Sequence, residues 1–138
     1  MVVTRLMALG DPCAAAAEVG RKTLEVILKS NPAVDPSRRL VEDVCRGAMV
    51  GLLLSEQNLP KGATLLVAMV LDVGHEFGLD PREVMVSALE GIARMSRFVT
   101  AEEMQRIRKA ITLEFVEADA LFGAILTGRQ IKPDEKII

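Results

Sequence analysis

The sequence predicts an all-α fold: a single-domain bundle of about five helices around a buried central third helix. Three observations predict it. Helix-start signals punctuate the chain, apolar residues between them recur every three or four positions, and no alternating apolar and polar run indicates a strand. The length of 138 residues suits one domain. We predict a helical bundle over residues 12–127, an N-terminal arm or short helix over 1–11, and a frayed C-terminal tail over 128–138.

Helix starts are marked by residues that satisfy the free amide groups of a first turn. Proline follows Asp11, Asp35 and Asp80. An Asp side chain accepts hydrogen bonds from first-turn amides, and a proline there has no N–H that needs a partner. Asp80 and Thr100 are each followed three residues later by Glu, which completes a capping box. These signals predict four helix starts.

Apolar periodicity gives the extents of the helices. The third helix is apolar nearly all round from Ala63 to Val73, which predicts that the other helices surround it. The fifth helix is the longest, because its apolar stripe continues from Met104 to Ile125. The five predicted helices cover about 12–30, 36–57, 61–77, 81–97 and 101–127.

The composition makes several classes of function unlikely. The net charge of -2 gives no general attraction to nucleic acid or to anionic lipid, so a nucleic-acid partner is not expected. Trp and Tyr are absent, which leaves little for stacking on bases or sugars. The most apolar run, 63–71, is far shorter than the roughly 20 residues of a membrane span, so no membrane partner is expected either.

The composition also favours a soluble protein in a reducing compartment. Cys13 and Cys45 fall within helical apolar patterns and lack CxxC spacing, so we predict buried free thiols and a cytoplasmic location. Hydrophobic residues make up 50% of the chain, which is high for a soluble domain. Either the helices are unusually well buried, or part of the apolar surface contacts a partner.

The single histidine lies in the segment LDVGHEFGLD, residues 71–80. Asp72, His75 and Glu76 have the spacing that lets all three project from one helix face. Carboxylates and an imidazole so arranged can bind a metal or share a proton in acid–base catalysis. The triplet is therefore one candidate site of the chain.

A metal at this triplet would need ligands from another part of the chain. Glu114 and Glu117 on the fifth predicted helix are candidates, although nothing in the spacing requires them. The alternative interpretation is structural. His75 lies in the last helical turn before Gly78, where exposed carbonyl groups favour a His side chain, and we favour this interpretation.

The segment 72–95 also resembles a helix-turn-helix, with Gly78 at the turn. The second helix of a DNA-binding motif must present polar side chains to base edges. Only Arg82, Glu83 and Ser87 are available for this, and the carboxylate of Glu83 would repel phosphate. A DNA-binding regulator is thus an alternative function rather than the preferred one.

A basic cluster is predicted around the turn between the fourth and fifth helices. Arginines at a helix end can bind a phosphate or an acidic partner. A solvated face with ion pairs between neighbouring turns explains the same charges, and this explanation is favoured. The cluster consists of Arg94, Arg97, Arg106, Arg108 and Lys109.

Two pairs of small residues allow helix backbones to approach closely, either within the bundle or across a dimer. They are Ala16 with Gly20 and Gly47 with Gly51. The fifth helix also carries apolar residues beyond its main stripe, which would let it contact two partners at once: Leu113, Val116 and Leu121.

No phosphate-binding loop, nucleophile motif or Cys–His pair is present, so no catalytic residue and no cofactor are predicted. The sequence favours a non-enzymatic interaction or regulatory protein that self-associates as a homo-oligomer through apolar helix faces. The DNA-binding regulator and the metal-dependent or acid–base enzyme remain alternatives, and a small ligand stays an open question.

Overall fold

The computed structural model describes residues 11–30 and 39–128. Within them the chain forms six α-helices and no strand, which confirms the all-α prediction. The predicted arm before Asp11, the predicted helix start at Asp35 and the predicted tail after Gly128 lie outside the described residues. The helices are α1 (Pro12–Ser30), α2 (Arg39–Leu54), α3 (Leu59–Glu76), α4 (Pro81–Ala93), α5 (Ala101–Glu114) and α6 (Ala118–Leu126), with a 3₁₀ turn (Arg94–Arg97) after α4.

The predicted helix caps are present. The side chains of Asp11, Asp80 and Thr100 each accept a hydrogen bond from a first-turn backbone N–H, at 3.2, 2.9 and 3.0 Å respectively. A fourth cap was not predicted. The Asn58 side chain accepts a hydrogen bond from the Lys61 N–H at 3.1 Å, and helix α3 therefore begins earlier than its apolar pattern indicates.

The corner between helices α3 and α4 is built by a glycine with a left-handed backbone. Gly78 has φ +69°, a conformation that costs other L-residues energy. The Leu79 N–H donates to the Gly74 carbonyl at 2.8 Å, and the Gly78 N–H donates to the His75 carbonyl at 3.3 Å. These two bonds form a Schellman motif. The predicted end of the third helix before Gly78 is confirmed, and a left-handed glycine cap forms it.

The fifth predicted helix, 101–127, is wrong as one continuous helix. Helix α5 ends at Glu114, Phe115 leaves the helical conformation with φ −132° and ψ 89°, and helix α6 begins at Ala118. Helix α5 packs against α3, whereas α6 packs against α4, so the chain has to change direction between them. The fourth helix likewise departs from its prediction, because its last turn, Arg94–Arg97, is 3₁₀ rather than α.

Helix α3 packs against α1, α2, α4 and α5, as expected of the central helix. Helix α4 is nonetheless buried more completely, with nine of its 13 residues buried. The run from Val84 to Leu89 has no exposed position, and Ser87 within it is fully buried. None of the helices in the two described segments combines the length and the apolar character needed to cross a bilayer.

Candidate functional site

An open apolar groove of about 540 Å³ runs between helices α1 and α2, and we call it the α1–α2 groove. The two helices are antiparallel, because the Cβ position of Gly20 lies 3.3 Å from the Val44 Cγ1, whereas Cys13 and Leu52 meet near the Cβ position of Gly62. Most of its lining side chains are small. The lining residues are Pro12, Ala15, Ala16, Val19, Gly20 and Thr23 from α1, and Asp43, Val44, Gly47, Ala48, Gly51 and Leu52 from α2, with Ser55 just after α2.

The two predicted pairs of small residues both line this groove, but they differ in their surroundings. A Cβ atom on Gly20 would lie 2.9 Å from the Met69 Cε and 3.3 Å from the Val44 Cγ1, so Gly20 permits close packing within the bundle. A Cβ atom on Gly47 or Gly51 would have no neighbour within 4 Å among the described residues. Contacts within residues 11–30 and 39–128 therefore explain Gly20 and leave Gly47 and Gly51 unexplained.

Helix α1 also carries two exposed valines, one of which lines the groove. Val19 lines it and is 65% exposed, and Val26 continues the same stripe two turns later with 62% exposed. Neither valine was singled out from the sequence. The signal that could have found them is the occurrence of a valine among Glu and Lys residues on the otherwise polar face of the helix.

Charged side chains flank the apolar centre of this face. Lys22 lies 3.9 Å from Glu18 on α1, and Arg46 lies 3.8 Å from Asp43 on α2. Asp43 is the only charged residue among those lining the groove. An apolar centre with a polar rim is typical of a surface that contacts another protein.

The predicted metal triplet lies at the C-terminal end of helix α3. Asp72, His75 and Glu76 are all exposed. Asp72 forms an ion pair with Arg21 of helix α1, with an Nη2 to Oδ2 distance of 2.6 Å. In the described segments, no group of three or more His, Cys, Asp or Glu residues could hold a metal ion. The geometry thus adds no support to a metal centre, and this site stays a prediction.

His75 belongs to the last turn of α3, the position that the structural interpretation gave it. Its carbonyl oxygen accepts the Gly78 N–H, so the residue takes part in ending the helix. The further candidate ligands lie beside the break after α5, where Glu114 is the last residue of α5 and Glu117 precedes α6. Both of these carboxylates are exposed.

Three arginines of the predicted basic cluster form ion pairs within the chain. Arg94 contacts Glu42 of helix α2 at 2.8 Å, and Arg108 contacts Asp119 of helix α6 at 2.8 Å. Arg106 forms ion pairs with Glu103 at 2.8 Å and with Glu102 at 3.7 Å, both in the preceding turn of α5. Arg97 and Lys109 are exposed. Binding of an anion or an acidic partner by this cluster stays a prediction, and much of its charge is already compensated.

The segment that resembles a helix-turn-helix does form two helices joined by a tight corner. A Cβ atom on Gly74 would lie 3.2 Å from the Val84 Cγ2, so α3 and α4 approach closely there. The second helix of the segment is α4, and its residues from Val84 to Leu89 are buried among the other helices. Ser87, one of the candidate base contacts, is 0% exposed. A helix buried in this way offers no face to a DNA groove, so the DNA-binding alternative gains no support.

Both cysteines are free and buried, as predicted. Burial raises the pKa of the Cys45 thiol to about 12. The pKa of the Cys13 thiol is also raised, first by burial and then by the nearby charge of Asp11. The Cys13 Sγ donates a hydrogen bond to the Asn58 carbonyl at 3.3 Å. Neither thiol has the lowered pKa of a reactive cysteine.

The apolar residues that lie beyond the main stripe of the fifth predicted helix differ in burial. Leu113 and Val116 are 77% and 76% exposed, whereas Leu121 is buried in the core at 5%. Leu113 lies on α5 and Val116 in the break that follows. The prediction that these residues cover a second partner is wrong for Leu121, which packs inside the bundle.

Comparison with known proteins adds no family to this description. No family model matches the chain, and neither a curated protein nor a solved structure matches it.

Proposed function

We propose that this protein is a non-enzymatic interaction protein that self-associates, and that the α1–α2 groove receives a helix of a second copy. The observation that carries the proposal is the pair Gly47 and Gly51. They line an apolar groove of about 540 Å³, and no atom of the part of the chain that the structure describes lies within 4 Å of their Cβ positions. The proposal includes a cytoplasmic location, which suits the free thiols of Cys13 and Cys45.

The first support comes from the energetic cost of a glycine in a helix. A glycine in the interior of a helix makes the helix less stable than an alanine there would, by about 0.5–1 kcal/mol. Gly47 and Gly51 lie within α2, and no contact inside the described chain requires either of them to lack a side chain. A partner helix that approaches closely supplies such a requirement, because small residues let two helix backbones come together.

The second support is the size of the face. Helix α1 has 19 residues, so it is about 28 Å long at about 1.5 Å per residue. Helix α2 has 16 residues and is about 24 Å long, so the two adjacent helices, each about 10 Å across, give a flat footprint of roughly 520 Å². The accessible area of a ridged helical face exceeds its footprint, and a standard interface buries about 800 Å² per partner. The face formed by α1 and α2 thus supplies an area of the same order as a dimer interface.

The third support is the distribution of charge. The lining of the groove includes one charged residue, Asp43, and the ion pairs Glu18–Lys22 and Asp43–Arg46 lie around it. Two copies can therefore join their apolar centres without burying an unpaired charge there, which would oppose association.

The test is the mass of the full chain in solution as a function of concentration. Sedimentation equilibrium is measured from about 1 µM to about 500 µM, a range that covers moderate protein association. The average mass should rise with concentration from the 15.0 kDa of one chain to twice that value. Val19→Lys puts a charge in the groove and should keep the protein monomeric. Leu113→Lys is the matched control, because it makes the same kind of change at an exposed apolar position on α5, and it should dimerise like the wild type.

Two results would count against the proposal. If the wild-type protein keeps the mass of one chain over the whole concentration range, it does not self-associate, and the proposed function is wrong. If Val19→Lys dimerises as the wild type does while Leu113→Lys is monomeric, the association surface lies on helix α5 instead.

A further inference from the structure

We infer that the helix which the α1–α2 groove receives is formed by residues 1–10 of the second copy, and that the two copies exchange these segments reciprocally. We call residues 1–10 the arm. This inference rests on the proposed function and adds to it the segment of the partner that binds. The arm lies outside the described residues, and the inference uses its sequence, its attachment at Asp11 and the shape of the groove.

The sequence of the arm has the pattern of a short amphipathic helix. It reads MVVTRLMALG, and Val2, Leu6 and Leu9 are spaced so that they share one helix face. Thr4 falls on the opposite face, and Arg5 falls at the edge of the apolar one. A helix this short is marginal on its own, so it needs a surface that covers its apolar face.

The groove offers such a surface close to the start of α1. Leu52 of α2 meets Cys13 of the first turn of α1 near the Cβ position of Gly62. Gly51 and Gly47 lie one and five residues before Leu52, about 1.5 and 7.5 Å along the helix axis. Both have open Cβ positions among the described residues, so a helix that enters the groove here can approach the backbone of α2 closely.

The attachment of the arm favours the groove of a second copy over the groove of its own chain. The arm precedes α1, so a helix that continues in the direction of α1 beyond Asp11 leads away from its own groove. To fold back, the chain would have to reverse within Gly10 and Asp11. Asp11 is already held by the Ala14 N–H at 3.2 Å and by the Lys61 Nζ at 3.1 Å. Loops between antiparallel helices contain about two to five residues, so this reversal is at the lower limit.

A two-fold axis close to Asp11, at right angles to α1 and parallel to the plane of the groove, satisfies both copies at once. The two α1 helices then run in opposite directions without overlapping, and each arm continues from its own α1 along the groove of the other copy. Counted at about 1.5 Å per residue from the axis, Leu6 lies about 7.5 Å along. It falls between Gly51 and Gly47 of the other copy, at about 4.5 and 10.5 Å.

The charges of the arm and of the groove are complementary. Arg5 is the charged side chain of the arm, and Asp43 is the one charged side chain among the described residues that line the groove. In the exchanged dimer Arg5 and Asp43 differ in level by about 7 Å, which an extended arginine side chain spans. The Asp43 side chain is 54% exposed, so it is accessible to this partner. An ion pair at this position would orient the arm in the groove.

The first experiment places a carboxylate on either face of the arm in the full chain. Leu6→Asp charges the apolar face and should weaken self-association by at least about a hundredfold, because a buried leucine is lost in both halves of the dimer. Thr4→Asp is the matched control, because it puts the same charge on the opposite face. Its dissociation constant should stay within about threefold of the wild type. Both constants are measured by sedimentation equilibrium over the concentration range given above.

The second experiment exchanges the charges of the arm and the groove. In a homodimer of Arg5→Asp or of Asp43→Arg, like charges oppose each other in both halves. In an equimolar mixture of the two variants, the mixed dimer pairs opposite charges in both halves. Native mass spectrometry should therefore show the mixed dimer well above the half share that random pairing gives. An arm bound in the groove of its own chain would give no such excess, because mixing does not change its charge partner.

Urea unfolding at low micromolar protein checks that the variants fold. Leu6 and Thr4 precede the first helix of the bundle, and Asp43 is exposed on α2. All variants should therefore unfold within about 0.5 kcal/mol of the wild type. A loss of dimer by a variant with this stability reports on the interface and not on a damaged monomer.

The outcomes separate this inference from the proposed function. If Leu6→Asp dimerises like the wild type, or if the mixture forms no excess of mixed dimer, the inference is overturned while self-association stands. If Leu6→Asp strengthens self-association, the arm covers the groove of its own chain, and this result also overturns the exchange. A wild type that keeps the mass of one chain overturns the proposed function and the inference with it.

Discussion

Replacing Gly47 and Gly91 by alanine is expected to change stability in opposite directions. Gly47 faces open space, so Gly47→Ala should stabilise helix α2 by about 0.5–1 kcal/mol through helix propensity alone. A Cβ atom on Gly91 of helix α4 would overlap the carbonyl oxygen of Glu42 and lie 3.1 Å from the Arg46 nitrogen and from the Cys45 Cβ. Gly91→Ala should therefore force α2 and α4 apart.

The expected cost of Gly91→Ala follows from these contacts. Overpacking a close-packed site costs about 1–3 kcal/mol, and here the crowded atoms are mainly backbone, which cannot rotate away. The gain in helix propensity offsets less than about 1 kcal/mol of this cost. We expect a net loss of about 1–2 kcal/mol, and hence a difference of about 1.5–3 kcal/mol between the two alanine variants.

The assay is urea unfolding followed by far-UV circular dichroism at low micromolar protein, where self-association does not contribute. With a urea slope of about 1–2 kcal/mol per molar for a domain of this size, the midpoints of the two variants should differ by roughly 1–3 M. A midpoint for Gly91→Ala equal to or above that of the wild type would refute the close contact between α2 and α4. A lower midpoint for Gly47→Ala would show that its side-chain space is occupied in the monomer.

Three further predictions concern local features. Burial raises the pKa of the Cys45 thiol from 9.0 to about 12, so Ellman's reagent at pH 8 should modify Cys45 only as fast as the chain unfolds, whereas the denatured chain should react at once. The free energy of unfolding should fall as the pH rises from 9.0 towards about 12, because the thiol ionises first in the unfolded chain. Asp80→Ala removes the cap of helix α4 and should cost about 1 kcal/mol in a thermal melt, whereas Asp80→Ser, which can still accept the bond, should cost much less. Gly78→Ala should cost about 1–2 kcal/mol at its positive φ, and Gly78→Asn should cost less; equal midpoints for Gly, Ala and Asn would contradict the left-handed corner.

Features with local causes could be predicted from the sequence. The caps at Asp11, Asp80 and Thr100 and the glycine corner at Gly78 each depend on a side chain and on the backbone within a few residues of it. The same is true of the helical periodicity, which indicated the all-α class and the central position of α3. Such interactions are complete within one turn of chain, so the sequence alone contains the information.

The break between α5 and α6 shows what could not be predicted. No glycine or proline lies between Glu114 and Ala118, and the apolar stripe continues through the break. The direction change follows from packing, since α5 contacts α3 and α6 contacts α4. An ion pair between Arg108 and Asp119 joins the two helices across the break. Tertiary contacts overrode the helical propensity of this segment.

The candidate site was predicted in part. The sequence identified the small residues of both helices, but it could not distinguish Gly20, which packs against Met69, from Gly47 and Gly51, which face the groove. The difference depends on which side of each helix is covered by the rest of the bundle. Neither Val19 nor the antiparallel course of α1 and α2 along the groove was foreseen.

The burial of α4 has a consequence for synthesis on the ribosome. Helix α4 is covered on different sides by α2, α3 and α6, and α6 comes last among these in the chain. Until α6 has emerged from the exit tunnel, one side of the apolar run from Val84 to Leu89 lacks the cover that α6 gives it in the folded chain. We expect this apolar surface to be open to chaperones or to other nascent chains until Ala118–Leu126 packs against it.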